Sequence, residues 1–138
     1  DEEAFAAAEE TYRAYVDALN QVDLSDPDTF EPVYAWTTGE ANAGERQQLS
    51  QLHADRWVVG GSTEIISVVA VKRTAGKETI LKVCTDVSSV TLVDANGLSQ
   101  VSPSRQARSS RDVHLVEGST STLFAITNIV PSDDEQCS

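Results

Sequence analysis

The sequence predicts an α+β domain in which N-terminal helices pack on a curved, mostly antiparallel β-sheet. Three observations lead there. The first third of the chain carries apolar residues at helical spacing, with alanine and glutamate between them. From Ser62 onward the pattern changes to β-branched runs punctuated by turn residues. Helices come first and strands after, the segregated order of α+β proteins.

Residues 3 to 20 read as the first helix. Phe5, Ala8, Tyr12, Tyr15, Val16 and Leu19 recur at spacings of three and four and form one apolar stripe. Ser25-Asp26-Pro27-Asp28 restarts the chain, with Asp26 as a cap and Pro27 at the first helical position. A short second helix follows, carrying Phe30, Val33, Tyr34 and Trp36. Thr37 and Glu40 have capping-box spacing, and a third helix runs to about Trp57, with Leu49, Leu52 and Trp57 facing inward. Gly60-Gly61 ends it and admits the chain to the sheet.

Ser62 to Val93 holds a long hairpin turning at Thr74-Ala75-Gly76-Lys77, then a third apolar run, Val90 to Val93. Strict alternation in its first strand puts Ile65, Val69 and Val71 on one side and Ile66, Val68 and Ala70 on the other. Both sides are apolar, so a curled sheet, a partner subunit or a ligand is expected to cover the second. The second strand places Leu81, Val83 and Val87 on one face, with Ile80, Lys82, Cys84 and Asp86 opposite. Asn96-Gly97 signals a hairpin joining Val90–Val93 to Leu98–Val101. Two more strands, Gln106–Val116 and Ser121–Val130, meet at Glu117-Gly118. With 138 residues the chain fits a single domain spanning 1–138, with a polar tail from about 131.

Composition limits function. The net charge is −12, from 22 acidic and 10 basic residues. Phosphate backbones repel such a chain, so no nucleic-acid partner is expected. No apolar run is long enough to span a bilayer. The chain starts at Asp1 and has no methionine, so removal of an upstream signal or lipid-anchored segment is expected, with trimming of the initiator methionine as the alternative. Asp1-Glu2-Glu3 and Asp133-Asp134-Glu135 read as solvated ends. Two cysteines and two histidines are too few for a metal cage, and no cofactor is expected. Cys84 sits in a strand, and Cys137 in a polar tail where packing gives a cysteine no purpose. A disulfide explains both positions and implies an oxidising compartment. The alternative is one buried thiol and one exposed thiol.

Several stretches together resemble the nuclear transport factor 2-like (NTF2-like) superfamily, and within it small exported actinobacterial proteins, often lipoproteins. They are Ala14-Tyr15, Thr37-Thr38-Gly39-Glu40, Gly60-Gly61-Ser62-Thr63, Val83-Cys84-Thr85-Asp86-Val87-Ser88 and Val93-Asp94-Ala95-Asn96-Gly97, with a late cysteine. The resemblance implies a cone-shaped domain and an extracellular or cell-surface location. NTF2-like enzymes place acid–base groups inside the cone, which would make Tyr12, Tyr15, Asp86 and His114 pocket candidates. No phosphate-cradling glycine loop, dinucleotide fingerprint, G-x-S-x-G elbow or H-E-x-x-H is present, so no catalytic residue is assigned.

Arg105, Arg108 and Arg111 gather three of the seven arginines into seven residues. They read either as an anion or acidic-partner patch or, preferably, as charges protecting a strand edge. The expected role is a non-catalytic binding or assembly module for a protein partner or a small apolar ligand, pairing weakly with a second copy. A small-molecule isomerase- or dehydratase-like enzyme and a component of an envelope or conjugation apparatus are the rival readings.

Overall fold

The computed structural model describes residues 2–75, 77–132 and 137. Three helices precede six strands: α1 Glu2–Asn20, α2 Glu31–Ala35, α3 Gly39–Ala54, β1 Val58–Gly60, β2 Glu64–Arg73, β3 Thr79–Asp86, β4 Thr91–Val93, β5 Arg108–Glu117 and β6 Phe124–Pro131. A 3-10 turn, Pro27–Phe30, leads into α2, capped by the Asp26 side chain accepting from the Asp28 amide. The fold is α+β. β2, β3, β5 and β6 form one antiparallel sheet in that order, and β1 pairs with β4 in a second, two-stranded sheet.

The stripe along α1 packs on one face of the larger sheet. Ala8, Tyr12, Tyr15 and Val16 share a buried cluster with Leu81, Val83, Val113, Leu115, Phe124 and Ile126. The strand residues in this inner face alternate with those on the outer face: Leu81 stands opposite Val113, and Val83 opposite Arg111. Ile80 and Cys84 are also buried but lie on the outer face and outside this cluster. α3 packs along β6, and Glu40 at its start accepts a hydrogen bond from the Asn128 amide at 3.2 Å.

Four local expectations are corrected. Strict alternation misassigns β2, because its register against β3 shifts between Ile65 and Ser67 and again between Ala70 and Lys72. Each bulge adds one residue and reverses the faces beyond it. Ile65, opposite Thr85, therefore joins Val68, opposite Val83, on the inner face, while Val69 turns outward and is 56% exposed. The capping box does not form. Thr38 is the cap residue of α3, Thr37 donates instead to the Tyr34 carbonyl, and Glu40 is drawn to Asn128.

α3 stops at Ala54 and not at Trp57, because Arg56 takes a left-handed backbone (φ 61°) that no helix continues. Val58 and Val59, β-branched, are then free to pair with β4. Consequently Thr91–Val93 takes β1 as its strand partner, and the Asn96-Gly97 turn closes with one bridge, Val93 to Ser99, and no second strand. Asp94 holds that turn by accepting from the amides of Asn96 and Leu98. The hairpin turn after β2 is present, with the Lys77 amide donating to Thr74; Gly76 within it lies outside the described residues, as do Asp1 and Asp133–Glu135 of the acidic ends.

Cys84 and Cys137 are joined in a disulfide with Cα atoms 5.9 Å apart. The same stretch of tail is tied by Ser132, whose amide donates to the Ser110 carbonyl and whose hydroxyl donates to the Ser110 hydroxyl at 2.8 Å. No helix among the described residues is long and apolar enough to cross a membrane.

Candidate functional site

The four pocket candidates do not meet. Tyr12 and Tyr15 project from α1 into the inner cluster, their ring centres 6.2 Å apart. Asp86 and His114 occupy outer-face positions, in register with Arg108 and Ile80 respectively. Asp86 accepts from the Arg108 guanidinium at 3.0 Å and from the Ser88 amide at 2.8 Å. These contacts, Ser88 first and Arg108 after it, lower its pKa to about 2. The His114 ring lies 3.3 Å from the Glu78 carboxylate. A filled layer of Leu81, Val83 and Val113 separates the two tyrosines from this outer pair.

The three arginines do not form one patch either. Arg105 precedes β5, and its guanidinium donates to the carbonyls of Val87 at 2.8 Å and Val90 at 3.2 Å. That fork ties the loop before β5 to the loop before β4. Arg108 is spent on Asp86. Arg111 points to the inner side, where its charge favours the ionised forms of Tyr12 and Tyr15. Burial outweighs that influence. The Tyr12 phenol is pushed up to about 12 by desolvation, and Tyr15 is pushed up further, by burial first and the neighbouring Glu45 carboxylate second.

The structure supplies a site that pattern reading missed. A cleft of about 470 Å³ opens between the end of α1, one side of α3, the β1–β4 sheet and the loop around Val101. Leu19, Val22, Leu49, Leu52, Val59 and Leu92 make its apolar walls. Glu45 stands among them, accepting from the Tyr15 hydroxyl at 2.8 Å. Burial raises the Glu45 pKa, and the Tyr15 hydrogen bond offsets part of that rise. Arg105 borders the same cleft. The sequence did hold a signal: Glu45, Leu49 and Leu52 fall at i, i+4 and i+7, so a carboxylate interrupts the apolar stripe of α3.

Chemically, the cleft offers an apolar bed, one carboxylate with a hydroxyl beside it, and the polar groups of Gln48, Gln100, Ser102 and Arg105. Among the described residues no group of three or more His, Cys, Asp or Glu side chains is placed to hold a metal ion.

No family model matches the sequence, and no curated protein matches it. In fold the chain is similar to the intermembrane space region of the chloroplast protein ARC6, with a TM-score of 0.58 and 12% sequence identity, covering 91% of this chain and 95% of that one. At that identity the likeness establishes a shared fold and nothing about activity.

Proposed function

We propose that this chain is an exported or cell-surface NTF2-like domain that binds without catalysing. The observation that carries this reading is the separation of Tyr12 and Tyr15 from Asp86 and His114 by a packed sheet. An acid–base mechanism needs its groups within hydrogen-bond reach of one substrate, and these four cannot share one. The disulfide agrees with an oxidising compartment, and the resemblance to small exported actinobacterial proteins, often lipoproteins, supplies the location. Membership of an envelope or conjugation assembly is one form such a module would take. The isomerase- or dehydratase-like reading has less support, because Tyr15 and Glu45 are the one hydrogen-bonded acid–base pair at the cleft among the described residues.

Weak pairing of two copies belongs to the same proposal. Val69 and Val71, 56% and 50% exposed, lie on β2, the edge strand of the larger sheet. An isologous contact would use that surface twice. Light scattering after size exclusion, at two salt concentrations, reads it: a mass that climbs above 14.9 kDa with protein concentration supports pairing, and a constant 14.9 kDa refutes it.

The binding reading is tested in a strain lacking the chain. Tyr12→Phe, Asp86→Asn and His114→Gln should each restore its phenotype, whereas Leu52→Trp, which fills the cleft, should not. Loss of complementation by His114→Gln in a folded, exported protein would mean chemistry and would end the binding reading.

A further inference from the structure

We infer that the cleft between α1, α3 and the β1–β4 sheet binds an aliphatic amine, with the ammonium on Glu45 and the alkyl body against the leucine and valine walls. The inference rests on the binding reading and names the class of ligand for it.

The walls argue for an aliphatic body. Leu19, Val22, Leu49, Leu52, Val59 and Leu92 face the space, and no aromatic ring lines it. A flexible alkyl chain packs against branched aliphatic side chains and needs no ring to stack on. About 470 Å³ lies within the size range of small-molecule sites. On α3, Leu49 is buried in the core cluster, while Glu45 and Leu52 on either side of it stay half-buried and face the cleft.

The charges argue for a cation. Only Glu45 and Arg105 among the lining residues carry charge. Arg105 is already committed through two guanidinium nitrogens to the Val87 and Val90 carbonyls. Glu45 uses one oxygen, Oε1, for Tyr15, and its other oxygen has no partner among the described residues. Glu45 is half-buried, so that oxygen is open to water, and this carboxylate is the one lining charge not already held by two backbone carbonyls. An ammonium in the cleft would replace that water with a charge-assisted hydrogen bond. The chain's net charge of −12 adds long-range attraction for a cation and repulsion for an anion.

Three probes of one length separate the possibilities: octylamine, 1-octanol and octanoate, titrated into the full chain with its disulfide intact and followed by amide chemical shifts. Octylamine should bind best, at least about tenfold more tightly than 1-octanol, with octanoate weakest. Shifts should centre on Leu19, Leu49, Val59 and Leu92. Glu45→Gln should bring octylamine down to the level of 1-octanol while leaving 1-octanol unchanged. Leu52→Trp, which keeps Glu45, should weaken octylamine and 1-octanol alike. Equal binding of amine and alcohol, tightest binding of octanoate, shifts centred elsewhere, or no binding by any probe each overturns the site. Those outcomes leave the His114→Gln complementation result standing, so failure of this site is distinguishable from failure of the binding reading.

Discussion

Tyr15 and Glu45 illustrate how a hydrogen bond can join two groups that both resist charge. Burial raises the proton affinity of each. For Glu45 the folded value lies above the unfolded one, so its contribution favours the fold at low pH and is lost as pH rises through the folded value. At neutral pH the carboxylate therefore costs stability. Glu45→Gln keeps an acceptor for the Tyr15 hydroxyl and removes the charge. It should be more stable than the parent in urea at pH 7, and the advantage should vanish below the ordinary carboxylate range. A variant less stable at neutral pH would mean that the charged form is better solvated than its burial indicates. Tyr12 supplies the alkaline counterpart. Its phenol titrates near 12 in the fold against 10.0 unfolded, so the neutral form stabilises the fold by about 3 kcal/mol relative to the phenolate. That contribution is complete below pH 10 and disappears as pH rises through about 12. In a Tyr34→Phe background, phenolate absorbance should stay flat at pH 10 and then appear together with unfolding. An early, separate phenolate step would contradict the burial of Tyr12 and Tyr15.

At the scale of elements, the joint between the two sheets depends on Gly61. It follows β1, has φ +73°, and a Cβ there would lie 1.8 Å from the Ser89 carbonyl oxygen. Gly97 also has a left-handed backbone, φ +82°, but nothing lies within 4 Å of the place its Cβ would take. The two separate steric collision from backbone preference. Gly97→Ala should cost about 1 kcal/mol, the left-handed penalty alone. Gly61→Ala should cost about 3 kcal/mol or more, because the Ser89 backbone must move and with it the approach to β4. Thermal melts of both variants check this, and equal losses would remove Gly61 as the joint. These elements also mark what the sequence disclosed. The α1 stripe, the Asp26-Pro27 restart, the β2–β3 hairpin and the last two strands were readable, because each rests on local periodicity or turn chemistry. The β2 faces were not, because a bulge is decided by pairing with β3 and leaves no gap in the apolar pattern. Nor was β1, three residues long and dependent on β4. The disulfide could be reasoned from two misplaced cysteines. The cleft could not, since residues as far apart in sequence as Leu19, Glu45 and Leu92 line one space only in the folded chain, although the interrupted stripe on α3 pointed to half of it.

For the molecule as a whole, Ser132 and Cys137 fasten the end of the chain to the outer face of the larger sheet. The disulfide from Cys84 to Cys137 spans 53 residues and encloses β4, β5 and β6. In the chain-entropy account a loop of that length removes about 4 kcal/mol of freedom from the unfolded chain. Against a total stability of about 5–15 kcal/mol for a domain, that is a large share. Cys84 is buried, so replacing it would also leave a cavity. Cys137→Ser avoids this, because the Cys84 side chain stays in place and only the link is lost. Urea unfolding of Cys137→Ser should therefore show a midpoint lowered by the equivalent of several kcal/mol. The reduced parent protein should match it, since both lose the same constraint. The slope of the transition should rise in both, because an unlinked chain exposes more surface when it unfolds. The hydrogen bond between the Ser132 and Ser110 hydroxyls would still hold the tail, but it contributes about 1 kcal/mol, too little to replace the disulfide. A midpoint that barely moves in both forms would mean that the disulfide adds nothing beyond the packing of α1 on the sheet. A fall in Cys137→Ser without one in the reduced parent would mean that the introduced hydroxyl disturbs the outer face directly.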